Sequence, residues 1–415
     1  MKELRHDIYR KWAWNCYRES MCKSMWPWHI KSERFAVVCP SIARYQFDAY
    51  SAQGRLDIAR SIIEGEMELQ EEMLEPIYHC MLCGGCDYIC GRIKEINPGK
   101  VIQAVRNELV KAGIGPPPGF KPIIENIAEY LNPHGKPDST RAQWIKELSV
   151  TRDTGKEKSI DDRGRADTVL YTGCIVMKGP EFHKMSQNAV KILLKAGINA
   201  GLLGEKEKCC GNPSLRLGDF DQFQALAKEN IKQFQKLGVK KVICTCAFCY
   251  GTIKREYPEV AEIEFEVLHI VELVDQLIKE ERLKFQRPVD LKTTYHDPCH
   301  LGRLSYPGIL GTGSFGVYQH PRDILASIPG LKLFEMERTK DDSRCCGGGA
   351  WMLTGNPEFA QWSAKERLEE AKATMAEALV TCCPHCEENL SQAIQTQHDS
   401  KIKIYDLLEL VAQAL

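Results

Sequence analysis

The reading turns on Cys345-Cys346-Gly347-Gly348-Gly349, which has an earlier counterpart at Cys209-Cys210-Gly211. Each pair stands between a lone upstream cysteine and a downstream C-x-x-C. The first set is Cys174, Cys209, Cys210, Cys246 and Cys249; the second is Cys299, Cys345, Cys346, Cys383 and Cys386. Written out, the sets are C-x34-CC-x35-C-x2-C and C-x45-CC-x36-C-x2-C. Two such patterns in tandem, with gaps from pair to C-x-x-C that differ by one residue, are an internal repeat.

Three chemistries compete for these cysteines. They can be small buried hydrophobes, zinc ligands or redox thiols, or iron–sulfur ligands. Zinc takes four ligands, whereas each set offers five. Adjacent cysteines suit a single tetrahedral ion poorly, and two irons of one cluster can take one thiolate each. No secretory signal is apparent, so disulfides are not expected. Iron–sulfur clusters are the leading reading, with zinc as its alternative.

Of the 19 cysteines, seven precede residue 91, five lie in each repeat, and Cys244 and Cys382 are extra. The clearest motif in the first group is Cys80-x2-Cys83-x2-Cys86-x3-Cys90, the run that holds [4Fe–4S] cubanes in bacterial ferredoxins. Gly84 and Gly85 let backbone approach a cluster. A degraded partner run lies upstream at Cys16-x2-Glu19-x2-Cys22, with Cys39-Pro40 arriving late after an insertion that contains Trp26 and Trp28. In two-cluster ferredoxins the fourth cysteine of each run serves the other cluster. That rule groups Cys80, Cys83, Cys86 and Cys39 around one cubane. It groups Cys16, Cys22 and Cys90 around a second, with Glu19 or an outside ligand on the fourth iron. A carboxylate there predicts a labile or three-iron site; the alternative is that the second cubane is lost. Cys90 is followed by Gly91, not proline, which departs from the usual run.

Between the runs, Arg55 to Glu75 is expected to be helical, as is Gly99 to Ala112. Residues 1–115 therefore read as a helical, two-cluster ferredoxin-like domain, closed by the proline-rich stretch 113–122. Residues 116–165 read as a solvated linker without chemistry, carrying a helix near Ile124–Leu131 and another near Arg141–Leu148.

Residues 166–290 and 291–415 each alternate short apolar strands with amphipathic helices, which implies α/β domains built on parallel sheets. The expected strands are Asp167–Tyr171, Ala200–Leu203, Val239–Cys244, Leu291–Tyr295, Leu331–Glu335 and Ala378–Thr381. The expected helices are Phe182–Leu194, Phe220–Leu237, Arg322–Ile328 and Phe359–Met375. All ten repeat cysteines fall at or beyond strand ends, where α/β sheets bind ligands. His300 follows Cys299 and His385 sits inside the second C-x-x-C. Each is a candidate proton donor, or a histidine merely packed beside a cluster. Cys244 and Cys382 read as buried strand-end thiols. The glycines of 311–316 imitate a nucleotide-binding run, but without a preceding strand they read as a surface loop.

The 415 residues carry a net charge of -1, so no global field draws nucleic acid or an anionic membrane. Hydrophobic content of 43% with no apolar run near 18 residues predicts no membrane insertion and a cytoplasmic protein.

The tandem pattern, with Gly211 and Gly347 after the pairs and His296-Asp297-Pro298-Cys299-His300 opening the second half, resembles the cysteine-rich CCG domains of heterodisulfide reductase. A ferredoxin-like part fused to two of them is similar to the D-type subunit, or to fused C- and B-type subunits. That resemblance implies a noncubane [4Fe–4S] cluster on each five-cysteine set. It also implies flavin- or iron–sulfur-containing redox partners. Similar chains serve glycolate, lactate and glycerol-3-phosphate oxidation, or belong to anaerobic assemblies such as the class II benzoyl-CoA reductase complex. The expected role is an electron-transfer subunit; the alternative is a catalytic subunit that cleaves a thiol disulfide between the noncubane clusters.

Overall fold

The computed structural model describes residues 3–146, 148, 166–305, 316–397 and 401–415. The charged run 156–165 and all but the last glycine of 311–316 lie outside these residues.

The N-terminal part is helical, as expected. Its principal helices are Asp7–Trp14, Ala52–Glu64, Gly85–Lys94 and Pro98–Lys111. Ser51 caps the second by accepting from the Gly54 amide, and Leu56, Ala59 and Ile62 bury one face. This helix ends earlier than its apolar pattern suggests. Gly65 adopts φ 77° and closes the last turn, and the chain becomes helical again only at Leu74–Tyr78. Pro98 opens the fourth helix at the position where its missing N–H costs nothing, with Asn97 as cap.

Two four-stranded sheets follow, both wholly parallel. The first contains β1 (Thr168–Tyr171), β2 (Gly201–Leu202), β3 (Lys241–Cys244) and β4 (Glu266–His269), in the order β2-β1-β3-β4. The second contains β5 (Leu291–Tyr295), β6 (Leu331–Leu333), β7 (Ala378–Thr381) and β8 (Lys403–Asp406), in the same order, β6-β5-β7-β8. Registers correspond as well: Leu170 faces Ile243 and Thr294 faces Leu379 across the central pairs. The helices Phe220–Leu237, His183–Lys195, Gln319–Ser327 and Pro357–Ala373 fall where amphipathic spacing puts them.

Sequence periodicity misses β4 and β8. Each passes directly from its last residue, His269 or Asp406, into an apolar helix that the same residue caps. With no turn residues between strand and helix, the two apolar runs merge in the sequence.

The repeats hold each other reciprocally. The helix after β1, His183–Lys195, packs on the helix after β8, Leu407–Ala414; the helix after β5, Gln319–Ser327, packs on the helix after β4, Ile270–Lys279. Lys279–Asp323 and Lys184–Glu409 ion pairs rim these contacts, while Leu407, Leu408, Leu410 and Val411 are buried. Each such leucine contributes about 1.5–3 kcal/mol through burial. The exchange turns the carboxyl edges of the two sheets toward one another.

The stretch expected as solvated linker is packed along part of its described length. Helix Lys121–Tyr130 buries Ile123 and Ile127, one turn apart, and Asn132, Arg141 and Trp144 are buried beyond it. The expected helix near Arg141–Leu148 is two short turns, Asp138–Arg141 and Gln143–Lys146. Arg141 donates to Gly173 O at 2.9 Å and pairs with buried Glu207 at 3.2 Å, so this segment closes over the first cysteine set.

Candidate functional site

Parallel strands place all their carboxyl ends on one edge, so the loops after β1, β2 and β3 converge. They bring together Cys174, the Cys209–Cys210 pair and Cys246–Cys249. In the second repeat the loops after β5, β6 and β7 do the same for Cys299, Cys345–Cys346 and Cys383–Cys386. All ten thiols are buried. Within each set they form a continuous chain of contacts. Cys174 meets Cys209, Cys209 meets Cys210, Cys210 meets Cys249, and Cys249 meets Cys246. Cys299 meets Cys345, Cys345 meets Cys346, Cys346 meets Cys386 at 3.2 Å between sulfurs, and Cys386 meets Cys383.

Such crowding polarises the thiols. Donation from Cys209 and Cys249 brings Cys210 down to about 5 despite its burial. Cys345 is held well below the usual thiol range by donation from Cys299 and Cys346. Burial opposes ionisation of Cys383, but donation from Cys246 and Cys386 outweighs it. Packed thiols that share protons in this way are set for replacement of those protons by metal.

The backbone at the pairs turns its amide groups toward sulfur. Gly211 N and Gly347 N approach Cys209 Sγ and Cys345 Sγ, each at 3.4 Å. Gly347, at φ 102°, has no room for a side chain: a Cβ would meet Ala360 O at 2.3 Å. The donor set and these amide groups fit iron–sulfur clusters better than zinc, which four thiolates would satisfy.

Two further cysteine groups line cavities in the helical part. Cys39, Cys80, Cys83 and Cys86, with Gly84, Gly85 and Cys22, line one small cavity. Cys16, Cys22, Cys90 and Glu19 line a second. The groups are those of the crossing rule, and Cys22 forms part of both walls. Glu19 pairs with Lys94 at 3.3 Å on the rim. Burial pushes the Cys22 thiol up to about 11.

The first cavity abuts the second repeat. Arg303 donates to Cys83 O at 3.1 Å and to Asp341 O and Ser343 O, both at 2.6 Å. Cys83 raises the Cys299 thiol and is itself raised by Cys345. Gly349 lies so close to Met81 O that a Cβ would sit at 2.6 Å from it. The two repeat sets meet in turn at Cys246 and Cys383, each of which shifts the other's ionisation.

Between those sets lies a row of rings. Phe248 packs against His300 at 4.2 Å and stacks on His385 at 4.5 Å; Trp351 meets His385 at 5.4 Å and His134 at 5.8 Å. His300 Nδ1 lies 3.4 Å from Cys299 Sγ. Burial, with Arg216 nearby, lowers His300 to about 3. His385 is also lowered, by burial. Cys244 and Cys382 are buried at strand ends, with Tyr295 Oη 2.8 Å from Cys382 Sγ.

Three functional candidates escape sequence reasoning. His134, in the supposed linker, opposes the upward push that Cys174 receives from Cys209 and from burial. Trp351 and its neighbour Ala350 adopt left-handed backbone, φ 60° and 51°, which presents the indole to the ring row. His296 has a ring nitrogen within 4.8 Å of the Cys346 and Cys386 sulfurs. Only His296 carries a signal, as the first residue of His-Asp-Pro-Cys-His.

A family model described as "CCG: Cysteine-rich domain" matches residues 168–254 and 293–391, the two halves that carry the sets. The D-type subunit of dihydromethanophenazine:CoB–CoM heterodisulfide reductase from Methanosarcina barkeri is 33% identical over 377 residues, covering 90% of this chain and 85% of that one. The chain belongs to the family of heterodisulfide reductase D-type subunits. The corresponding Methanosarcina mazei protein is likewise 33% identical, with 97% and 93% coverage. An EtfAB:quinone oxidoreductase of Syntrophomonas wolfei is 30% identical over 82% of this chain but 47% of its own length. This D-type family member is thus of the iron–sulfur oxidoreductase kind. No helix among its described residues is long and apolar enough to cross a membrane.

Proposed function

We propose that the chain is an electron-transfer subunit of a cytoplasmic redox complex, holding two cubane clusters in its N-terminal part and one noncubane cluster on each five-cysteine set. Residues 1–115, 166–290 and 291–415 are the corresponding domains. The observation that carries the reading is the unbroken succession of cysteine groups. It runs from Cys16, Cys22 and Cys90, through Cys39, Cys80, Cys83 and Cys86, to the second set and then the first. Iron–sulfur clusters, when bound, accept and release single electrons. The chain's own contribution is spacing and insulation: its cysteines hold the sites in sequence, and buried apolar packing separates them from water. Tyr17 is exposed at the Cys16–Cys22–Cys90 cavity and Trp14 is exposed nearby, so this end is open to a flavin- or iron–sulfur-containing partner.

Anaerobic iron and sulfide analysis with EPR tests this. Two cubane and two noncubane signals are the expected result. Zinc without sulfide would overturn it, and absence of one cubane would remove the Cys16–Cys22–Cys90 site from the series.

A second reading is favoured by the contact of the two sets and the rings beside it. There the chain itself reduces a disulfide, which takes two electrons and two protons for one S–S bond broken. His300 and His385 line that contact, but burial disfavours their protonated forms, so they fit it as hydrogen-bonding neighbours and the protons come from solvent. Turnover of a thiol heterodisulfide with an artificial electron donor would support this reading; a fully loaded chain without turnover would leave the electron-transfer role alone.

A further inference from the structure

His296 follows β5, and its amide donates to Val380 O at 2.8 Å. Its side chain is buried, and its two ring nitrogens have opposite settings. Arg367 Nε donates to Nδ1 at 3.1 Å. A guanidinium remains charged and offers only N–H groups, so Nδ1 must present its lone pair. The ring proton therefore resides on Nε2. That N–H is buried with no hydrogen-bond partner among the described residues. The sulfurs of Cys346 and Cys386, within 4.8 Å of a ring nitrogen, are acceptors beside it. Arg367 cannot turn away easily. Its NH1 donates to Glu370 Oε2 at 2.5 Å and to Arg338 O at 3.1 Å, and Glu370 also binds Arg338.

The first set lacks this arrangement. The residue in the same place after β1 is Thr172, and its Oγ1 donates to Glu207 Oε1 at 3.1 Å. The hydroxyl proton is spent on a carboxylate, leaving none for Cys210 or Cys249.

We propose that His296, locked by Arg367 with its proton on Nε2, is the hydrogen-bond donor for the Cys346–Cys386 thiolates when the second set is loaded, and raises the reduction potential of that set. A donor at ligand sulfur stabilises the negative charge gained on reduction. His296 is thereby a positioning residue that tunes the second set. The inference rests on the reading that both sets hold clusters.

The test is an EPR-monitored redox titration of the full chain, prepared anaerobically, with iron counted in every sample. Cys345→Ser identifies which signal belongs to the second set. In His296→Phe the second-set midpoint is expected to move negative while the first stays in place; His296→Gln, which keeps an N–H, should lie nearer wild type. An unmoved midpoint in iron-loaded His296→Phe overturns the proposal. Should His296→Phe lose second-set iron, His296→Gln decides. Iron retained supports the donor role; iron lost in both makes His296 an iron ligand and overturns it. A wild-type chain without iron in either set would instead sink the cluster reading, and this inference with it.

Discussion

Cys246, just beyond the end of β3, and Cys383, just beyond the end of β7, lie close enough across the boundary of the two repeats that each thiol shifts the other's ionisation. The contact makes the second set an intermediate station between the N-terminal cysteines and the first set. On the proposed electron-transfer reading, flow through the chain has an order. With a low-potential donor acting at the N-terminal part, Cys345→Ser should block reduction of the first set as well as abolish the second. Cys209→Ser should abolish the first set and leave reduction of the second intact. Freeze-quenched EPR distinguishes these outcomes; first-set reduction at the normal rate in Cys345→Ser would refute the order.

The cavity of Cys16, Cys22 and Cys90 has a carboxylate where a ferredoxin has a thiolate, and Glu19 is held by Lys94 at its rim. A carboxylate is the weaker ligand for iron, so brief oxidation should convert this site to a three-iron form. Glu19→Cys should suppress the conversion. The check is the EPR signal after timed exposure to air: equal conversion in both proteins would show that Glu19 has no part in the site.

Gly347→Ala should destabilise the protein without touching a thiol. The position needs φ 102°, and the added methyl would meet backbone at Ala360 O. Strain of this kind costs about 1–3 kcal/mol, and displacement of the Cys345–Cys346 loop should release second-set iron first. Thermal unfolding followed at the cluster absorption measures both effects. Gly238→Ala, where a Cβ meets nothing within 4 Å, is the control for φ alone.

Glu370 lies between Arg338 and Arg367 at 2.9 and 2.5 Å, all three buried. Glu370→Ala leaves two buried guanidinium groups without their counter-charge, a loss of about 3–5 kcal/mol. In the wild type, burial opposes ionisation of Glu370, but Arg367 and Arg338 overcome it and hold the carboxyl below its usual value. A depressed carboxyl contributes stability that is complete above the ordinary glutamate pKa, about 4.3. That contribution is lost as pH falls below it toward the depressed value. Denaturant unfolding should show the penalty of Glu370→Ala in full at pH 7 and a smaller penalty under acid; a constant difference would refute the assignment.

Glu387 behaves in the opposite sense. Burial, with Glu409 adding to it, raises its carboxyl to about 7. The folded state thus keeps a proton that the unfolded chain gives up above about pH 4.3, so stability falls as pH climbs from there to about 7. Glu387→Gln should melt higher than wild type at pH 8 and close to it at pH 5.

Much of this was legible without coordinates, because spacing survives as chemistry. A strand-end cysteine, a CC-G pair and a C-x-x-C each belong to a short local structure, and parallel topology puts strand ends on one edge. The strands Leu291–Tyr295 and Ala378–Thr381 and the helix Phe220–Leu237 follow from apolar periodicity alone. β4 and β8 did not, because each strand runs into its helix through a single capping residue. Nor did the burial of Arg141 and Asn132, whose polar character suggests solvent until Glu207 and backbone carbonyls are seen to receive them.

The sequence by itself determined the cysteine sets, the tandem repeat, the parallel α/β architecture and the helical cysteine-rich start, since each depends on contacts or periods short along the chain. Only the tertiary structure decided that the two repeats pack helix against exchanged helix, so that Cys246 reaches Cys383. It alone placed Cys83 beside the second set, and it alone fixed the His296 proton through Arg367, 71 residues away. These are pairings between distant segments of similar local pattern, and local pattern cannot choose among them; packing of the whole core does.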